Sequence, residues 1–236
     1  LTEAQSGLWY SQHLDPSNPI FNTGQYLDMR GPLDIAAFRG AVDQVAEEAE
    51  ALALRFEDTP AGPVQRIDPA LRPYLTVIDL SAEAEPEKAA LAAIEADMAT
   101  PVDLARGPLA AQVLYRLGPE RHFWAQRVHH LANDGYGMVL LTTRVSELYG
   151  AALGAPARTS APLVPLAGLW AEDSAYRASP ERNSDARWWH EMMADMEDVV
   201  GMAPGRALSA HSFHRFARPL AAETWQALSA LADRAT

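Results

Sequence analysis

His129-His130-Leu131-Ala132-Asn133-Asp134-Gly135-Tyr136-Gly137 is the stretch on which the reading of this chain turns. A strand-like run, 122–129, leads into it, and an amphipathic helix is predicted to follow over 138–153, with Val139, Leu140, Val145, Leu148 and Tyr149 buried. Residues at a strand-to-helix junction are pushed to one edge of a sheet, where ligand sites gather. Neighbouring strand side chains point to opposite faces, so one histidine should face a cavity while the other packs behind the sheet. Asp134 lies across the turn from His130, placed to orient an imidazole, hold the loop or cap the next helix. Gly135 and Gly137 allow close backbone approach and leave N–H groups at a helix start, suited to a carbonyl oxygen or another acceptor. A purely structural turn fits the same residues. A zinc or iron site is a weaker reading, because adjacent strand residues point apart and no third histidine has a helpful spacing. A serine hydrolase is weaker still, since no G-x-S-x-G elbow occurs.

Working outward, 108–117 and 122–129 are two strand-like runs around Gly118-Pro119-Glu120-Arg121, a hairpin turn. Upstream, a helix is predicted over 1–14 with Thr2 as its cap, then a strand over 25–30. Asp34 caps a second helix whose apolar stripe is Ile35, Phe38, Val42 and Val45. Short strands at 52–57, 64–67 and 74–80 precede an Ala- and Glu-rich helix over 81–98. Downstream, 154–165 reads as a linker, with helices at 166–178 and 180–196, a break at 201–209, a strand at 211–219 and a helix at 223–235. Strands and helices in this order point to an α/β sandwich with one mixed sheet and an appended helical segment.

The composition narrows the function. The chain has 236 residues, enough for one large domain or two lobes, and 48% of them are hydrophobic, enough for a sizeable core. With 31 acidic against 19 basic side chains, a net charge of −12 lacks the basic face that nucleic acid demands. Cysteine is absent, which removes disulfides, thiolate metal sites and a thiol nucleophile. No apolar run approaches the ~20 residues of a membrane span, and no signal peptide opens the chain, so a cytoplasmic protein is expected. Leu1 in place of a methionine suggests a piece of something longer.

His129-His130-x-x-x-Asp134-Gly135 resembles the HHxxxDG signature of condensation domains in nonribosomal peptide synthetases, members of the chloramphenicol acetyltransferase-like superfamily. The opening Ala4-Gln5 through Trp9 is similar to the family's AQ-x-x-x-W motif. The segment TPVDLARGPL, 100–109, resembles the stretch before its central strands. Residues 170–176 and Trp188-Trp189 resemble its aromatic helices. The family's motif RHExLRTxF corresponds to 48–56, where Glu48 and Ala53 replace both arginines. An arginine of that motif normally pairs with the signature aspartate, so Asp134 needs another partner, for which Arg55 and Arg144 are the candidates.

The resemblance implies an α/β, two-layer sandwich with a mixed sheet. Residues 1–165 would form the N-terminal lobe, and 166–236 the linker helices and the start of a truncated C-terminal lobe. It implies amide formation between a donor acyl or peptidyl thioester and an acceptor amine, both on 4'-phosphopantetheine arms of donor and acceptor carrier proteins, beside an adenylation domain. No cofactor is expected on the chain itself, and neither nucleic acid nor membrane is expected as a partner. His130 would be the catalytic residue, and His129, Asp134 and Gly135 its support, with His129 packed behind the sheet. The lack of cysteine favours direct transfer over a thiol-linked intermediate. Rival readings are an epimerization domain, a non-catalytic recruiting module of the same fold and a free-standing acyltransferase. A cyclization domain is disfavoured because no aspartate replaces either histidine. The isolated fragment is expected to be inactive, since the family's tunnel runs between two lobes.

Overall fold

The structure, a computed structural model, describes residues 1–156, 161–196 and 218–235. The predicted break at 201–209 and nearly all of the strand predicted at 211–219 lie outside the described residues.

Strand β6 (Arg121–His129) is the axis of the molecule. It is flanked by antiparallel partners, β1 (Asn22–Arg30) and β5 (Ala110–Gly118), and β4 (Thr76–Asp79) joins β5 in parallel. The resulting mixed sheet runs β1-β6-β5-β4. Strands β5 and β6 meet through the predicted hairpin turn, with a register irregularity between Arg116 and Gly118. A separate two-stranded sheet pairs β2 (Leu54–Glu57) with β3 (Val64–Ile67). Residues 52 and 53, expected at the start of that strand, instead close a 3-10 turn over Glu50–Ala53.

Both faces of β6 are covered, so eight of its nine residues are buried. On one face Trp124 and Val128 pack against Phe38, Val42 and Val45 of α2 (Ile35–Glu48) and Met138, Leu141 and Val145 of α4 (Gly135–Ala152). Phe38 meets Trp124 edge-on at 5.1 Å, a contact worth about 0.5–1.5 kcal/mol beyond its buried area. On the other face Phe123 and Ala125 pack with Ala90, Ala93 and Ile94 of α3 (Pro86–Met98). Helix α1 (Glu3–Leu14) joins the larger core through Trp9.

Local chemistry sets the helix ends. Thr2 and Gln5 form a capping box on α1, and Asp34 accepts from the Ala37 amide at the start of α2. Helix α3 begins at Pro86, not at 81, because proline suits a first helical position and keeps Glu85 out of helical dihedrals. Helix α4 buries Met138, Leu141, Arg144 and Val145, whereas Val139 and Leu140 are 58% and 44% exposed. Four consecutive apolar residues, 138–141, wrap most of the helix, so spacing alone could not choose the inward face. Helices α5 (Leu166–Arg177) and α6 (Pro180–Met193) dock on α1 through ion pairs from Arg177 and Arg182 to Glu3. Helix α7 spans Ala222–Ala235. Among the described residues, no helix is long and apolar enough to cross a membrane.

Candidate functional site

His129 and His130 differ sharply. His129, the last residue of β6, is 1% exposed. Its Nε2 lies 3.1 Å from Oε1 of Gln12, and its Nδ1 accepts from the Leu131 amide at 3.2 Å. Burial, followed by the nearby charges of His130 and Arg127, lowers its pKa from 6.5 to about 4. His129 is therefore neutral at physiological pH with both ring nitrogens engaged. His130 follows immediately, half-buried, its amide donating to the Phe21 carbonyl at 2.8 Å. Among the described residues its imidazole makes no hydrogen bond.

The lowered pKa gives a pH dependence with a definite sign. Between pH 6.5 and 4 the unfolded chain protonates this histidine and the folded chain does not, so folding stability must fall as pH falls through that window. The slope reaches about 1.4 kcal/mol per pH unit. His122, also buried, acts with the same sign. Chemical denaturation at several pH values is expected to show a shallower loss in His129→Gln than in the parent, and parallel curves would contradict the assignment.

Asp134 is exposed and serves as the N-cap of α4, its Oδ1 accepting from the Gly137 amide at 2.7 Å. Neither candidate arginine reaches it. Arg55 pairs with Glu57 at 3.2 Å and Asp68 at 3.6 Å. Arg144 points into the core and forms a two-pronged bond with Glu48, both contacts 2.8 Å. The residue that replaces the motif arginine thus supplies the carboxylate that captures Arg144, which holds the Glu48 carboxyl below its usual range. Asp134→Ala removes a cap worth about 1 kcal/mol and is expected to lower Tm by about 2–4 °C. His130→Ala, which breaks no side-chain hydrogen bond, should shift it less; equal melting temperatures would count against the capping role.

Gly135 opens α4 with no atom within 4 Å of where a Cβ would project, so it borders open space. Gly137 is the constrained glycine, since a Cβ there would lie 1.7 Å from Oδ1 of Asn133. Beneath this turn, Oε1 of the buried Gln126 accepts from Nε2 of Gln25 at 2.6 Å, with the Thr142 hydroxyl also in reach. Gln12 and Gln126 were not singled out by sequence reasoning, and Gln5 entered only as part of the Ala4-Gln5 motif, with no role at the site. The signal that links Gln12 to Gln5 is their seven-residue spacing, two turns apart on one helix face.

With this geometry in place, the comparisons with known proteins are specific. The family model for the condensation domain matches residues 1–235. This chain belongs to the condensation domain family. It is 42% identical over 215 residues to the dimodular nonribosomal peptide synthase of Bacillus subtilis (strain 168), covering 91% of this chain and 9% of that protein. It is 40% identical over 234 residues to the isonitrile lipopeptide synthase of Streptomyces coeruleorubidus, covering 98% and 16% respectively. Among solved structures, a mutant of the starter condensation domain of rhizomide synthetase in complex with C8-CoA superposes with a TM-score of 0.81 at 35% identity. That match covers 88% of this chain and 48% of the solved one. The condensation-domain fold, an α/β sandwich of the chloramphenicol acetyltransferase type with a mixed sheet, is therefore the fold of this chain. The chain spans a small fraction of these curated relatives and about half of the solved domain.

Proposed function

We propose that this condensation domain forms an amide between a donor acyl or peptidyl thioester and the amine of an acceptor aminoacyl thioester. Both would be carried on 4'-phosphopantetheine arms of donor and acceptor carrier proteins in a synthetase that also holds an adenylation domain. The observation that carries this reading is the half-buried His130, whose ring makes no hydrogen bond among the described residues, at the strand-to-helix turn whose Gly135 borders open space. The amine nitrogen attacks the thioester carbonyl, a C–N bond forms, the C–S bond breaks, and the amine proton ends on the departing thiolate. An imidazole suits the transfer because its ordinary pKa lies near neutrality. His130 holds the acceptor amine and takes its proton, while alignment of the two thioesters supplies much of the rate. His129 and Asp134 support it, one as a buried anchor and the other as the cap of α4. Gly135 leaves space for the substrate.

On this reading residues 1–165 are the N-terminal lobe, and 166–236 comprise the linker helices and the opening of a second lobe. Exposed Trp188, Trp189, Trp225 and Leu231 on α6 and α7 support a covering partner of that kind. The test uses the synthetase with its carrier domains loaded by its own adenylation domains. Mass spectrometry is expected to find the condensed product on the acceptor carrier. Exchange of the α-proton without a new amide would instead mark an epimerization domain.

A further inference from the structure

Two glutamines of α1 converge on the residue that follows His130. Gln5 donates from Nε2 to the Leu131 carbonyl at 3.0 Å, while its Oε1 accepts from the Thr2 amide at 3.0 Å. Its Nε2 also reaches Oε1 of Gln65 at 3.0 Å. Gln12, 4% exposed, donates to the carbonyls of Asp15 and Asn18 at 2.8 and 3.0 Å. Its Oε1 therefore faces Nε2 of His129 as an acceptor, which requires the proton on that nitrogen. Nδ1 of His129 is then the acceptor for the Leu131 amide, as its geometry demands. Leu131 itself is 2% exposed and anchored in the core.

Both backbone groups of Leu131 are thus gripped from one helix, the carbonyl by Gln5 and the amide by Gln12 acting through the His129 ring. The His130 amide is fixed from a third direction by the Phe21 carbonyl. A histidine whose ring makes no hydrogen bond among the described residues takes its direction from its backbone and from the packing around it. We infer that Gln5 and Gln12 are positioning residues that set the orientation of His130 toward the acceptor amine. This rests on the reading of His130 as the residue that touches substrate. Displacing a reacting group by about 1 Å can cost on the order of 10²-fold in rate, so such a clamp has kinetic consequences beyond stability.

The variants separate rate from folding. Gln5→Glu keeps the oxygen that completes the capping box but loses the donor to Leu131 and sets a carboxylate against its carbonyl. Gln12→Met keeps the volume of the side chain and removes the acceptor from His129. Both are assayed in the synthetase, the acceptor being the N-acetylcysteamine thioester of the amino acid its acceptor adenylation domain loads. Assays run at least 15 °C below each variant's Tm. The expected result is a fall in kcat of about 10- to 100-fold, with KM for that thioester within about twofold of the parent. A kcat within twofold of the parent in Gln5→Glu overturns the inference, as does a loss confined to KM. Gln5→Glu decides the matter alone should Gln12→Met not fold. His130→Ala is run alongside: if it retains parental turnover the parent reading fails, whereas a dead His130→Ala beside an active Gln5→Glu refutes only the clamp.

Discussion

His130→Ala is expected to lower amide formation by about 10²- to 10⁴-fold, the usual worth of a positioned proton-transfer group, while leaving the fold intact. Two observations separate the expected effects. The imidazole makes no hydrogen bond among the described residues, and the ring is half-buried, so truncation orphans no partner and empties little packed volume. Substitutions of that kind stay within about 0.5 kcal/mol, or about 2 °C in Tm for a chain of this size. His129→Ala is the contrasting variant. It leaves the Leu131 amide and the Gln12 carbonyl buried without their partner and should cost about 1–3 kcal/mol for each group left unpaired. Mass spectrometry of the acceptor carrier, beside thermal unfolding of the same preparations, reads both quantities. Parental turnover in His130→Ala would remove this residue from the chemistry.

The difference between the two histidines shows how far sequence carries and where it stops. Strand alternation was enough to say that the pair would divide its tasks, because that property is local. Caps were equally readable, since Thr2, Asp34 and Asp134 each bond an amide three residues on. The hairpin around Pro119-Glu120 was signalled by its own turn residues. What could not be read were relations between distant segments. The inward face of α4 is chosen partly by Glu48, almost a hundred residues earlier, which draws Arg144 to the core and leaves Val139 and Leu140 outside. The same carboxylate explains why Arg144 was unavailable to Asp134. The grip of Gln5 and Gln12 on Leu131 likewise spans more than a hundred residues, and no local pattern announces it.

The Glu48–Arg144 pair yields the largest stability effect expected here. Their side chains are 14% and 10% exposed, joined by two contacts of 2.8 Å, and Arg144 also lies 3.8 Å from Glu147. The Glu48 carboxylate accepts from Gln44 as well and lies 3.5 Å from the Leu163 amide, while Glu50 takes the Leu166 amide at 2.8 Å. One short acidic segment therefore ties α2 to α4 and fastens the strand of chain that leads into α5. Removing one partner leaves a charge in a site built for two, so Arg144→Ala is expected to destabilise by about 3–5 kcal/mol. Glu48→Arg, which restores the residue typical of the family's motif, should be at least as harmful, because it brings two guanidinium groups together at the same depth. Replacing both, as Glu48→Leu with Arg144→Met, should recover most of the loss, since an apolar pair of similar volume carries no desolvation cost. Denaturant unfolding of the singles and the double closes a cycle whose coupling energy is the readout. Additive losses would mean the pair contributes nothing as a pair. The pH sign is also fixed: the Glu48 carboxyl is held below its ordinary 4.5 by Arg144, so its contribution is complete above that value and is lost as pH falls through the lowered one. The His129 window opens at pH 6.5, above the 4.5 at which the Glu48 window opens, so acid loss in the parent begins with the histidine. Below 4.5 the loss should be smaller in Arg144→Ala, with Asp28 and Asp79 still contributing in the same direction.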